Sequence, residues 1–423
     1  MYFSPEVTEN ELPGLIRQFT DITGWRPWEK RLRWLEAQVA TSTAMPYFWH
    51  ERFELELAFA AMRKRHKTSG RYPRKNPAIE QQRFLSFVAM LVRCHSVSTQ
   101  PAKTRLRGMI LDSLKKDYGL GPLAYEMKIA AHLMSKGFDV TFHDLETGGG
   151  YDFLAVKDDL QLQVECKFVS GDIGRQIHLK RLYQFGEYLT PKLQTVLDQL
   201  RGGVFVHVKI PGRLHGQETQ HSIISQEVIS AIGGQNNHST SNHNHVLAST
   251  FSIDSSPFAK LRPQDLRAEH LDEFALSRFG IRKKNMLVLF RPHRHAVIVA
   301  LQSEKDDKVL TGIHQQLKDA ASKQFTGALP AVMCCHLADI DETDLLGLQH
   351  KGDQGIGLDY MTADLIQRRP QLLAVTYTAP GSIERYRHSS GQFEQRSQRE
   401  RGPAYTISNP NHPLAGDPRY TIF

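Results

Sequence analysis

The sequence predicts an α/β fold, a mixed sheet flanked by helices, preceded by an N-terminal all-helical region. Three observations predict it. Through residues 1–117 apolar positions recur near a three-to-four period, then two short alternating runs, Asp152–Val156 and Gln161–Lys167, follow one another across a tight turn. Beyond residue 285, further apolar runs alternate with a helical stretch, the pattern of a mixed sheet covered by helices.

The helical region reads as Trp28–Val39, His50–Lys67, Ala78–Arg93 and Lys103–Lys116. Arg63, Lys64, Arg65, Lys67, Arg71, Arg74 and Lys75, with Gly70 and Pro73, read as a helix end passing into a basic loop. Such a loop either tracks a phosphate backbone or is simply solvated. The next helix, Leu123–Lys136, places Ile129, Ala130 and Leu133 three, four and seven residues from Glu126, with Lys128, His132, Ser135 and Lys136 on the wet face. Glu126 therefore points inward. A carboxylate on a buried stripe is costly unless it is paired, hydrogen-bonded or coordinated.

In Gln161–Lys167 the strand alternation sets Leu162, Val164 and Cys166 on an apolar face and Gln163, Glu165 and Lys167 on a polar one. At a rise of about 3.3 Å per residue, Glu165 and Lys167 stand roughly 6.6 Å apart on one side and can act on a common ligand. A turn at Lys157-Asp158-Asp159 brings the preceding strand back alongside, so Asp152 and Glu165 become neighbours across a hairpin. Gly148-Gly149-Gly150 marks a sharp turn or a close approach of backbone to ligand. Two acids and a lysine in this arrangement are the makings of a divalent-metal site that cuts phosphodiesters; hard oxygen ligands suit Mg²⁺, and no Ser or Cys nucleophile is required. Cys166 falls on the core side as a small buried hydrophobe.

A helix with an inward Glu126, a strand, Gly150-Tyr151-Asp152 opening a second strand, Glu165-Cys166-Lys167 on a third, and then a basic helix resemble the PD-(D/E)XK nuclease superfamily over residues 118–210. Tyr151 stands where the name-giving proline would be. The resemblance implies a restriction-endonuclease-like fold in which Asp152 and Glu165 hold Mg²⁺ or Mn²⁺. It also implies that Lys167 orients or deprotonates the attacking water and that Glu126 assists through water or a second metal. Ser170 or Asp172 is expected to cap the following helix, whose start would grip phosphate with Arg175, Lys180 and Arg181. Gln184 and Tyr188 resemble the Gln-x-x-x-Tyr element of some RecB-like members; accessory catalysis and ordinary packing both fit them.

The expected organisation is a basic helical region at 1–117, a nuclease-like core at 118–212, an insertion at 213–284, an α/β segment at 285–380 and a polar basic tail at 381–423. Val204–Ile210 is expected as a fourth strand of the core sheet, and His221–His245, rich in His, Asn, Ser and Gly, as a loop. Strands Met286–Phe290, Ala296–Leu301, Ala331–Leu337 and Leu372–Thr378, with a helix near Lys308–Gln324, either extend that sheet or form a separate domain. The tail Ser382–Pro403, with five arginines, is either a DNA-binding or a solvated arm.

Fifty-three basic against 45 acidic residues give a charge of +8 and favour an anionic partner, nucleic acid and most simply DNA. No apolar run spans a bilayer and the first residues lack signal-peptide character, so a cytoplasmic protein is expected. Cys94, Cys166, Cys334 and Cys335 have no zinc-ligand spacing and are expected as reduced thiols. The function these features support is a metal-dependent deoxyribonuclease of restriction, phage defence or repair. The alternative is a non-catalytic nucleic-acid-binding or scaffolding protein on the same fold. A homo-oligomer and a regulatory partner are compatible with either.

Overall fold

The structure is a computed structural model, and it describes residues 11–41, 46–69, 78–234, 238–240, 244–254, 256, 258, 268–280, 285–291, 294–340, 345, 347–348, 357–380 and 404–417. It is a mixed α/β protein with an N-terminal helical region and two mixed sheets flanked by helices. The chain divides into two compact units, the first made of residues 1–36, 52–173 and 309–423 and the second of 37–51 and 174–308.

The helical region consists of α1 (Leu12–Thr23), α2 (Trp25–Thr41), α3 (Pro46–Arg52), α4 (Glu54–Ser69), α5 (Ile79–Val97) and α6 (Gln100–Ser113). α1 lies ahead of the helices expected from periodicity. In the first unit, Phe19, Trp28, Phe59 and Phe84 form a fully buried aromatic knot, with Phe59 stacked on Phe84 at 4.9 Å. The indole N–H of Trp28 donates to Thr23 Oγ1 at 2.7 Å, which satisfies its polar end. Arg63 of α4 lies over the Trp25 ring at 3.6 Å, so it is partly engaged in packing. The basic loop expected at 70–77 lies outside the described residues, as does the arginine-rich stretch 382–403.

The first unit continues through α7 (Gly121–Ser135), β1 (Asp139–Phe142), the short α8 (His143–Thr147), β2 (Phe153–Lys157) and β3 (Leu160–Val169). β2 and β3 form a hairpin closed by Asp158-Asp159, with Asp158 at φ +53°, a conformation that aspartate tolerates better than most side chains. The sheet runs β1-β2-β3-β9-β10-β11, where β9 is Ala331–Leu337, β10 is Leu372–Thr378 and β11 is Ala404–Ser408. β3, β9 and β10 are mutually parallel; the outer pairings are antiparallel. α7 packs on β3 from one core, which takes in Leu162, Val164 and Cys166, while α12 (Val309–Lys323) and α13 (Leu358–Arg368) cover the sheet's other core.

This two-sided cover changes the reading of β3. The face expected to be wet is closed: Gln163 and Glu165 are each only 1% exposed. A central strand covered on both sides loses its solvent face along its middle, and only Gln161 and Lys167 of this face stay partly open. His132, expected on the wet side of α7, is buried for a similar reason, since α7 packs against α5, α6, β1 and β3.

The second unit contains α9 (Leu179–Gln199), β4 (Gly202–Ile210), α10 (Glu218–Ile232), β5 (His238–Thr240), β6 (His245–Phe251), α11 (Ala268–Phe279), β7 (Met286–Arg291) and β8 (His295–Ser303). Its sheet runs β5-β6-β4-β8-β7, with β4 parallel to β8. Two expectations are corrected here. β4 exists but belongs to this sheet, not to that of β3, and the first part of the segment read as a loop, from His221 to Ile232, lies in the helix α10, whose Ile224, Val228 and Ala231 are buried. The polar composition that argued for a loop is concentrated after residue 233. Strands after 285 divide between the sheets, β7 and β8 in the second and β9 and β10 in the first. The tail is likewise not wholly without structure, because β11 pairs with β10.

Among the described residues no helix is long and apolar enough to cross a membrane. All four cysteines are buried and free.

Candidate active site

The hairpin register puts Phe153 opposite Val164, and one further residue along the pair Asp152 meets Glu165. The Asp152 carboxylate is fixed there, with Oδ2 accepting the Cys166 backbone N–H at 2.6 Å. Glu165 lies on β3 between the Asp152 side and the parallel neighbour Met333, and its carboxylate makes an ion pair with Lys167 Nζ. Glu165 Oε2 is buried and has no hydrogen-bond partner. A buried carboxylate oxygen left unpaired costs stability, and such an atom calls for a proton or a cation.

Glu126 projects from α7, one turn before Ile129, Ala130 and Leu133, all fully buried. It is half-buried itself. Burial, reinforced by the charges of Asp144 and Glu165, pushes its carboxyl up to about 8. Burial likewise drives Asp152 well above the carboxylate range, with Glu126 and Glu165 adding repulsion. Glu165 is raised by burial too, against the pull of Lys167. Desolvation works against the Lys167 ammonium, but the charge and contact of Glu165, with Asp152 behind it, outweigh it and raise its pKa. Three of the sequence-derived residues thus sense one another as acids around a single ammonium.

No protein-family model, curated protein or solved structure matches the chain.

A fourth acid belongs to the same group and escaped the sequence reading. Asp144 is the second residue of α8, half-buried, and burial raises its carboxyl to about 6; its charge acts on Glu126, Asp152 and Glu165. The β1–β2 ladder carries it there. After Phe142 pairs with Phe153, the His143 N–H donates to the Asp152 carbonyl at 2.8 Å, so the start of α8 stays beside Asp152. The glycine run just downstream serves this local turn. Gly148 ends α8 in the left-handed region at φ +86°, and a side chain on Gly150 would press on the His143 ring, which is stacked on Tyr151 at 4.1 Å.

The donors suit a hard cation: four carboxylates with no imidazole or thiolate among them. Among the described residues no three His, Cys, Asp or Glu side chains close into a metal cage. An ion here would therefore be held by one or two carboxylates and its own waters, the usual manner of Mg²⁺.

The other expected residues lie elsewhere in the chain's organisation. Ser170 and Asp172 do not cap α9, which begins at Leu179 after His178 without a side-chain cap. They are drawn instead into a network within the first unit. Tyr118 OH meets Ser170 Oγ and donates to Asp339 Oδ2 at 3.0 Å, and Arg52 bridges Asp339 at 3.2 Å and Asp172 at 3.8 Å. Arg175, Lys180, Arg181, Gln184 and Tyr188 belong to the second unit. There Gln184 accepts from Arg181 Nη1 at 2.8 Å, and the Tyr188 ring lies 5.7 Å from that of His221 with Lys192 above it. Both contacts are those of a packed helix surface.

Proposed function

We propose that the protein is a divalent-metal-dependent phosphodiesterase acting on nucleic acid, most simply DNA, on a restriction-endonuclease-like core. The observation that carries this reading is the buried Glu165 carboxylate set against Asp152 across a hairpin, one oxygen paired with Lys167 of the same strand and the other, Oε2, left without a hydrogen-bond partner. Fold order supports it. α7, β1, β2 and β3 follow one another, and the parallel strand beside β3 is supplied by α12 and β9, with the second unit interrupting the chain between them. The excess of basic residues favours an anionic polymer as substrate.

In this reading Asp152 and Glu165 would hold Mg²⁺ or Mn²⁺. When bound, the ion would supply an acidified water and an offset for charge building on the phosphate. Asp152 is kept in place by the Cys166 amide, which donates to its Oδ2 at 2.6 Å, and its other oxygen would serve as the ligand. Lys167, held protonated by Glu165, donates to the phosphate or the incoming water and steadies developing negative charge. Glu126 and its acidic neighbours take up protons when no cation is present.

The test uses the full-length protein with plasmid, single-stranded DNA and RNA, in Mg²⁺, Mn²⁺ or EDTA, beside Asp152→Ala and Lys167→Ala. Cleavage that needs metal and drops by about 100-fold or more in both variants is expected. Equal products from wild type and variants, or indifference to EDTA, overturns the proposal. Retention of nucleic acid without turnover would instead favour a binding or scaffolding role.

A further inference from the structure

Asp144 is built into the first unit with more care than a surface acid needs. Arg105 of α6 donates from Nη1 to the Leu145 carbonyl at 2.5 Å and the Glu146 carbonyl at 3.2 Å, clamping α8 from its carbonyl side. On the same turn, the Glu146 carboxylate is taken up by Thr99, through its hydroxyl at 2.5 Å and its backbone N–H at 3.3 Å. Leu145 is buried beneath them. The helix is thus tied at its backbone, by one side chain and by its apolar residue, and the His143 N–H ties its first turn to Asp152. Of its two other acids, Glu146 is turned to Thr99, whereas Asp144 shares the field of Glu126, Asp152, Glu165 and Lys167.

Burial works against the Asp144 carboxylate while Arg105 and Lys167 favour it, and its own charge raises Glu126, Asp152 and Glu165. The unpartnered Glu165 Oε2, in a residue 1% exposed, independently marks the same place as one that lacks a cation. The charges that offset these four carboxylates are Lys167, with Lys116 acting on Glu126 and Arg105 on Asp144. Asp144 Oδ1 accepts the Leu145 N–H at 2.7 Å, which fixes the carboxylate while leaving it lone pairs for a further partner.

We propose that Asp144 is a further cation-binding residue of the centre, acting directly or through one metal-bound water, and that α8 exists to hold it there. The inference rests on the metal-dependent reading of Asp152 and Glu165 and extends it by a residue outside the hairpin.

The experiment titrates Mn²⁺ into the metal-free, full-length protein, following free Mn²⁺ by its electron paramagnetic resonance signal, for wild type, Asp144→Asn, Glu146→Gln and Asp152→Asn. Asp144→Asn keeps the acceptor for Leu145 N–H, and a thermal melt in EDTA checks that each variant folds; Asp144→Ser, which also retains a local acceptor, stands in if it does not. Asp144→Asn is expected to weaken Mn²⁺ binding by about tenfold or more, with Glu146→Gln within about twofold of wild type. Mn²⁺ binding that is lost in Asp152→Asn but unchanged in Asp144→Asn overturns this inference and leaves the proposed function standing. Equal weakening by Asp144→Asn and Glu146→Gln also overturns it, since the effect would then be the general charge of α8. A wild type that binds no Mn²⁺ overturns both.

Discussion

The two sheets are built alike and filled differently. Each has a central strand paired in parallel with a strand from far along the chain, β3 with β9 and β4 with β8, and each is finished by antiparallel strands at its margins. In the second sheet the central strand β8 buries Ala296, Val297, Ile298, Val299, Ala300 and Leu301 in succession, a run with no polar side chain. β3, which like β8 has one parallel and one antiparallel neighbour, buries Gln163 and Glu165. Gln163 is satisfied, its Nε2 donating to Thr326 Oγ1 at 2.6 Å; Glu165 is not. Stability alone explains β8. It does not explain β3, and a strand that departs from the rule its counterpart obeys is where function is to be sought.

The contrast can be broken most forcefully in the second sheet. Val299→Asp would put a carboxylate between β4 and β7 without a partner and is expected to cost about 4 kcal/mol or more, read as loss of the cooperative melt or of soluble protein. A variant that folds normally would show that β8 tolerates what β3 carries and would dissolve the distinction.

A milder test exploits another buried acid of the first unit. Glu56 is 1% exposed, accepts the Leu120 N–H at 3.2 Å and lies 3.7 Å from Arg31; burial raises its carboxyl to about 7 despite that cation. Because the folded pKa lies above the ordinary value, the neutral form favours the fold. Its contribution is full below about pH 4.5 and is lost as pH rises through 7. Melts between pH 4.5 and 8 should show a decline to which Glu126, Asp144 and Asp152 add, and which Glu56→Gln makes shallower by the order of 1–3 kcal/mol. An unchanged slope in the variant would remove Glu56 as its source.

The smallest effect is expected at β3 itself. In EDTA at pH 8, Glu165→Gln should melt higher than wild type by about 1 kcal/mol, since it relieves a crowd of carboxylates while Lys167 keeps Asp152 and partial exposure. If the proposed function holds, the same variant should lose metal-dependent cleavage of nucleic acid. A lower melting point would mean that the Glu165–Lys167 pair is a structural prop.

Much of the first sheet was legible because alternation and turn chemistry are local. The β2–β3 hairpin, its Asp158 turn and the strands at 286, 296, 331 and 372 all announce themselves in runs of a few residues. The destination of β4 did not, since nothing in Val204–Ile210 says whether β3 or β8 will be its neighbour; that choice is made by contacts across about 90 residues of chain. Burial of Glu165 was hidden for a related reason: one strand shows which residues share a face but not that α12 will close it. Asp144 left only a faint trace, an acid two residues beyond the end of a strand in a helix of five residues, too short to display any period. Had the β1–β2 register been followed past Phe142, it would have delivered Asp144 to Asp152.

β3 meets β9 only after about 170 further residues have been made, for Val169 pairs with Leu337. At about 5–20 residues per second on the ribosome, the strand bearing Glu165 and Lys167 waits on the order of ten to thirty seconds for its neighbour. Throughout that interval it offers an open hydrogen-bonding edge to any other extended chain. A chain cut short before residue 331 would retain every acid of the centre and the lysine, yet lack the strand that pairs with β3 beside them. Synthesis must therefore pass residue 337 before β3 has its parallel neighbour along its whole length.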